Sequence, residues 1–263
     1  MALMQLSIFS DELKMMTTVY AVMPQPKLND APINGYPVLW LLHGYGDDSS
    51  IWERRTSIER YSSYYGLCVI MPSSYIFSYA DMAHGGKYYS YIAKELPEKL
   101  SGMLAISKVR EDNFIAGLSM GGAGAMKIGL SNPDKYCAIG CLSAGAVNRG
   151  KGGMETPEQL KRREMLYGSR LLEGTEEDVF GNAERLAKAD CSKPRIYHAC
   201  GSEDFILPSA RVTRDYFMAI KDNPFDYKYE ENPGIHSWEF WDEHIKHFID
   251  YLGLPLKKEM YYN

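Results

Sequence analysis

The sequence predicts an α/β protein, a mostly parallel sheet covered by helices on both faces. Three observations lead there. Short, continuously apolar runs such as Val38-Leu39-Trp40-Leu41-Leu42 suit strands buried on both faces. Stretches with helical spacing alternate with those runs along the chain. The run Phe114-Ile115-Ala116-Gly117-Leu118-Ser119-Met120-Gly121-Gly122 then sets a Gly-x-Ser-x-Gly motif between an apolar strand and a small-residue helix.

Residues 4–10 and 15–23 read as strands joined by a turn at Asp11-Glu12, an antiparallel start. Residues 37–42 form a buried strand that ends in the loop His43-Gly44-Tyr45-Gly46. Residues 58–65 are helical, and 67–71 are a strand closed by Pro72. Residues 88–100 have helical spacing that Pro97 interrupts. Residues 113–118 enter the serine motif, 122–130 leave it as a helix, and Asn132-Pro133 stops that helix. Strands follow at 136–144 and 195–200, the second ending in Gly201-Ser202-Glu203-Asp204. A helix at 209–220, a strand at 225–229 and a helix at 238–252 complete the series.

Residues 148–189 break the rhythm: Gly-rich, then charged and helical, with no convincing strand and too few apolar residues for a core of their own. The chain is therefore expected to be one domain over 1–263, with 148–189 inserted over the active edge of the sheet. Gly150-Lys151-Gly152-Gly153 would be its hinge. The insertion is expected to act as a lid, with a contact in a homo-oligomer as the alternative.

A chain of 263 residues with 45% apolar and 24% charged residues has an ordinary soluble composition. Its net charge of −5, with no offsetting basic cluster, argues against a nucleic-acid partner. Lys161-Arg162-Arg163 sits among Glu155, Glu158 and Glu164 and reads as a solvated helix face. The N-terminus reads as a first strand and not a signal peptide, and no apolar run is long enough to span a bilayer. Five cysteines without a CxxC suit reduced thiols, hence a cytoplasmic location.

Serine is a poor nucleophile until a base takes its proton, and the base needs a carboxylate to orient it. Ser119 is the expected nucleophile. A strand-to-helix turn lifts its hydroxyl above the sheet edge, and Gly117 and Gly121 leave room for backbone on either side. Among the histidines after it, His198 lies inside a strand and reads as structural. His244 and His247 lie at i and i+3 on the last helix and read as surface residues, since no carboxylate or thiol stands nearby at matching spacing. His236 differs: it follows Asn232-Pro233-Gly234-Ile235 in a loop at a strand's end and is the expected base. Asp204 is the expected acid, with Glu203 its competitor. The oxyanion donors are expected from the backbone N–H groups of Met120 and Tyr45, with Gly46 the alternative to Tyr45, and His43 as a buried support of that loop. Tyr88, from a tyrosine cluster at 75–91, and Trp238, beside His236, are the expected pocket residues. No metal site is expected.

Leu41-Leu42-His43-Gly44, Gly117-Leu118-Ser119-Met120-Gly121-Gly122, Cys200-Gly201-Ser202-Glu203-Asp204 and Gly234-Ile235-His236-Ser237-Trp238-Glu239-Phe240-Trp241 together resemble the esterase D family of α/β-hydrolases. Residues 88–97, ending Glu95-Leu96-Pro97, match the segment that family carries before the elbow strand. Tyr20-Ala21-Val22-Met23-Pro24 and Arg54-Arg55-Thr56 are most similar to its bacterial tributyrin esterases. The resemblance implies an α/β-hydrolase fold and a cofactor-free carboxylesterase for short-chain, small-molecule acyl esters. Relatives act on S-formylglutathione, acetylated sugars and feruloyl esters. Tyr45-Gly46-Asp47-Asp48 departs from the thiol-ester-hydrolysing branch and points away from S-formylglutathione. An acyltransferase with the same triad is the near rival. A catalytically silent binding module is the rival of another class, though such proteins usually lose a triad member.

Overall fold

The computed structural model describes residues 1–25, 32–146 and 156–257. Eight strands form one sheet in the order β1-β2-β4-β3-β5-β6-β7-β8. The hairpin of β1 (Ala2–Ser10) and β2 (Met15–Met23) is antiparallel, and β2 pairs antiparallel with β4 (Cys68–Pro72). From β4 onward every pairing is parallel, through β3 (Val38–Leu42), β5 (Asn113–Leu118), β6 (Ala138–Leu142), β7 (Arg195–Gly201) and β8 (Lys228–Asn232). This is the α/β-hydrolase arrangement predicted above.

The period-two alternation of strands divides the core into two layers. Along β3, Val38, Trp40 and Leu42 enter one layer while Leu39 and Leu41 enter the other. The first layer is roofed by α5 (Met120–Ser131), α7 (Val179–Lys188), α8 (Leu207–Ala219) and the helical stretch 88–101. The second is roofed by α1 (Ile51–Arg55), α2 (Ile58–Ser63) and α9 (Trp238–Tyr251). Truncating a fully buried aromatic there, such as Phe248, costs about 3–5 kcal/mol.

Pro97 reshapes its helix without ending it. α3 (Tyr88–Ser90) leads into a π-helical turn, Tyr91–Glu95, and then α4 (Leu96–Ser101). Proline has no N–H to give the carbonyl of Ala93, and Lys135 Nζ donates to that oxygen instead, at 2.9 Å. At the end of the π turn the Glu95 carboxylate accepts from Ser10 Oγ and the Asp11 and Glu12 amides, at 2.6, 2.6 and 3.2 Å, and so holds the β1–β2 turn.

One strand is displaced from its predicted place. The last strand is Lys228–Asn232, not 225–229. Phe225 is a fully buried core anchor and Asp226 has φ 43°, so pairing cannot begin until Lys228. As an edge strand of sequence KYEEN, β8 has almost no apolar periodicity to reveal it. Between β6 and β7 the described residues hold α6 (Pro157–Tyr167) and α7 with no strand, as expected. The Gly150–Gly153 hinge lies outside the described residues.

Candidate active site

Ser119 joins β5 to α5 at φ 50° and ψ −119°, a region costing a non-glycine residue about 1–3 kcal/mol. The surroundings impose that conformation. A Cβ on Gly121 would lie 2.4 Å from Leu42 O and 2.6 Å from His43 O, and one on Gly117 2.5 Å from the Gly121 carbonyl carbon. Only glycines let the elbow close, and the Ser119 amide then donates to Leu142 O at 2.8 Å across the end of β6.

Asp204 and His236 come together from the ends of β7 and β8. His236 Nδ1 lies 3.0 and 2.9 Å from the two Asp204 carboxylate oxygens. Asp204 Oδ1 also accepts the Ile206 amide at 2.9 Å, which fixes the carboxylate. The two loops are laced together: the Ser202 amide donates to Asn232 O and the Glu203 amide to Gly234 O, at 2.8 and 3.0 Å. Glu203 itself is exposed, whereas Asp204 is buried. Phe205 packs on the imidazole at 4.5 Å, and Trp241 meets it edge-on at 4.9 Å. Phe205 lines the same cavity as Ser119. No hydrogen bond between Ser119 and His236 occurs among the described contacts.

His43 organises the loop after β3. Its Nε2 accepts the Ser74 and Tyr75 amides at 2.8 and 3.2 Å, so Nδ1 carries the proton and donates to Gly44 O at 2.7 Å. Burial pulls this imidazole down to about 4 and keeps it neutral, against an upward pull from the Gly44 carbonyl. The Gly46 amide donates to Tyr75 O at 3.1 Å. The amides of Tyr45 and Met120 have no acceptor among the described residues, and Met120 opens α5, where no preceding turn supplies one. Tyr75, Ser78 and Tyr79, in the facing loop, all have positive φ.

A cavity of about 490 Å³ opens on Ser119. Small residues of α5 and of the stretch after β6 line it, as do Tyr45, Met120, Phe205 and, further along toward β7, Gln159, Arg162, Glu177 and Val179. Arg162 therefore is not on a solvated helix face. Its Nη2 donates to Ile76 O at 2.8 Å and Ser78 Oγ at 2.7 Å. The wall also holds a buried ion pair, Lys127 Nζ to Glu177 Oε1 at 2.7 Å, with Lys127 donating to Ser78 O as well. Ser143, at φ 46°, adds a buried hydroxyl with no partner among the described residues.

Neither predicted pocket residue lines this cavity. Tyr88 is buried and stacks on Phe77 at 4.9 Å, because the helical stretch 88–101 turns it into the core. Trp238 stands behind the histidine, edge-on to Trp52 at 5.3 Å and to Trp241 at 5.1 Å. Trp52 Nε1 in turn donates to Leu42 O at 3.0 Å, so three tryptophans connect the end of β3 to the His236 ring.

The remaining histidines are committed elsewhere. His198 is buried, with Nε2 on Ala144 O and Nδ1 on the Tyr227 hydroxyl. His244 is fully buried rather than on the surface, and its Nδ1 lies 2.8 Å from the Tyr197 hydroxyl. The expectation that the α9 histidines lack a carboxylate is also overturned. Glu230 of β8 lies beside both, a contact created by strand pairing and invisible in linear spacing.

The family model described as "Putative esterase" matches residues 10–248. The chain is 30% identical to an acetyl esterase of Caldicellulosiruptor saccharolyticus over 96% of this chain and 98% of that one. It is similar to the structure of FphF, a fluorophosphonate-binding serine hydrolase of Staphylococcus aureus, at 32% identity and TM-score 0.85, covering 95% of this chain and 98% of that one. The S-formylglutathione hydrolase FrmB of Staphylococcus aureus matches at 32% identity and TM-score 0.81, with the same coverage. Among the described residues no helix is long and apolar enough to cross a membrane.

Proposed function

The chain belongs to the esterase family, of the esterase D type among α/β-hydrolases, and is a carboxylic ester hydrolase; on that premise we propose a serine esterase for short acyl esters that works through Ser119, His236 and Asp204. The observation that carries the assignment is the two-oxygen grip of Asp204 on His236 Nδ1, in a protein whose Ser119 is held at positive φ in a cavity that Phe205, packed on the imidazole, also lines. That grip puts the Nδ1 proton on the carboxylate side and leaves Nε2 unprotonated, ready to take the serine proton.

In this mechanism Ser119 Oγ attacks the ester carbonyl as His236 Nε2 accepts its proton. The tetrahedral oxyanion takes the amides of Tyr45 and Met120, each worth about 3 kcal/mol in such positions. Collapse expels the alcohol, protonated by His236. Water then repeats the sequence and frees the acid. The Ser119–His236 hydrogen bond forms as substrate orders the site, as is common when unliganded contacts are long.

The small residues around Ser119 and the Lys127–Glu177 pair in the cavity wall favour a compact acyl group over a long alkyl chain, which would leave that pair desolvated. Similarity to an acetyl esterase supports the same class. The insertion between β6 and β7 acts as a substrate wall through Gln159, Arg162, Glu177 and Val179. Covalent labelling with a fluorophosphonate should map to Ser119, and Ser119→Ala should lose esterase activity while keeping its melting temperature. Label elsewhere, or an active alanine variant, would remove the assignment.

A further inference from the structure

We propose that Glu230 of β8 and His244 and His247 of α9 together hold a divalent transition-metal ion, with zinc the best fit. The two histidines are three residues apart and so share one helix face. Strand pairing brings the carboxylate to that face. Glu230 Oε2 lies 3.2 Å from His247 Nδ1 and 3.5 Å from His244 Nδ1. With metal–ligand bonds near 2.0–2.1 Å, the edges of a tetrahedral zinc site measure about 3.3–3.4 Å, so both separations match it with little movement. One ligand atom from each of the three residues falls within 4.8 Å of the others. Two imidazoles and a carboxylate are a donor set for zinc and leave a fourth position for water, on the side where His247 is partly exposed.

The surrounding hydrogen bonds suit this role. Tyr197 donates to Glu230 Oε2 at 2.7 Å and orients the carboxylate, and its oxygen lies 2.8 Å from His244 Nδ1, a contact that the metal replaces when it binds. The Asn232 amide meets His244 Nε2 at 3.4 Å, and turned over it accepts the proton that Nε2 must carry once Nδ1 binds metal. Lys228 Nζ sits on the other carboxylate oxygen, Oε1, at 2.7 Å. That cation repels the metal and weakens its binding. None of the three ligands lines the Ser119 cavity. The site instead braces β8 against α9, the two elements that carry the His236 loop, so its effect is on stability.

The test is titration of the untagged chain with zinc, followed by calorimetry and thermal melting. One ion per chain should bind, and melting should rise by about 5 °C at a hundredfold excess over Kd. His247→Ala, at a half-buried side chain, should weaken binding at least tenfold, and Lys228→Gln should tighten it severalfold. The proposal is overturned by no saturable binding up to about 1 mM zinc. It is equally overturned by a Kd unchanged in either variant.

Discussion

The Arg162 guanidinium of α6 lies 4.4 Å from the centre of the Tyr45 ring and 3.8 Å from Met120 Sδ. One side chain from the segment between β6 and β7 thus touches two residues of the cavity wall, Tyr45 and Met120. Tyr45 is 55% exposed, so little else holds its ring. The contact joins the segment between β6 and β7 to the loop after β3 and to the first residue of α5, which carry the proposed oxyanion donors.

Arg162→Ala should therefore lower kcat on a small acetate ester by roughly tenfold with a smaller change in KM, since the loss falls on positioning of the donors. Arg162→Lys should not restore it, because a flat guanidinium stacks on the ring and an ammonium does not. Steady-state kinetics of both variants decide this; wild-type kcat in the alanine variant would contradict it.

Asp204→Asn should reduce kcat by about 10⁴-fold, since the amide favours the wrong imidazole tautomer. Glu203→Gln, at an exposed side chain, should be near wild type. The reverse pattern would transfer the acid role to Glu203.

Gly121→Ala should destabilise the fold by about 3 kcal/mol or displace the elbow, because its Cβ meets two backbone oxygens that cannot rotate away. Denaturant melts read the first outcome and loss of kcat the second. A stable, fully active variant would show that the elbow is not so closely packed.

Acid should destabilise the protein in a window set by buried histidines. His43 and His198 each fall from 6.5 to about 4, chiefly through burial. Between those values the unfolded chain binds protons that the folded one refuses, so stability rises with pH and is lost as pH falls from 6.5 towards 4. Each contributes about 3 kcal/mol across the window. Chemical denaturation from pH 7.5 to 4 should show the fall, and His198→Gln should make it shallower. A flat profile over this range would count against buried, neutral imidazoles.

Replacing residues 148–189 with a short linker should change acyl-chain preference far more than reactivity toward a small acetate ester. Gln159, Arg162, Glu177 and Val179 line the cavity, whereas Ser119, Asp204 and His236 stand at the ends of sheet strands. Chain-length profiles with p-nitrophenyl esters read the difference. An unchanged profile in a folded variant would favour an interface between copies.

The buried strands and the elbow were legible in the sequence because their signals are local. β3 is an unbroken apolar run and β5 one after its opening Asn113, and Gly117 and Gly121 flank a serine whose backbone needs them. Chain order was enough to nominate Asp204 and His236, since each closes a strand of a parallel sheet. The last strand was misplaced because an edge strand of mostly charged and polar residues carries no apolar period. Tyr88 and Trp238 belong to the core behind the site, and an aromatic residue reads the same in sequence whether it faces substrate or a neighbouring ring.

What only the tertiary structure decided is which distant residues meet. Arg162 reaches Tyr45 across 117 positions by packing α6 over the sheet edge, and nothing in Lys161-Arg162-Arg163 distinguishes the inward residue from its exposed neighbours. Glu230 reaches His244 and His247 through the pairing of β8 beside β7 and the seating of α9 on it. Sequence periodicity reports which face of an element is apolar. It does not report what stands opposite a polar side chain, because that depends on register and packing between elements far apart in the chain.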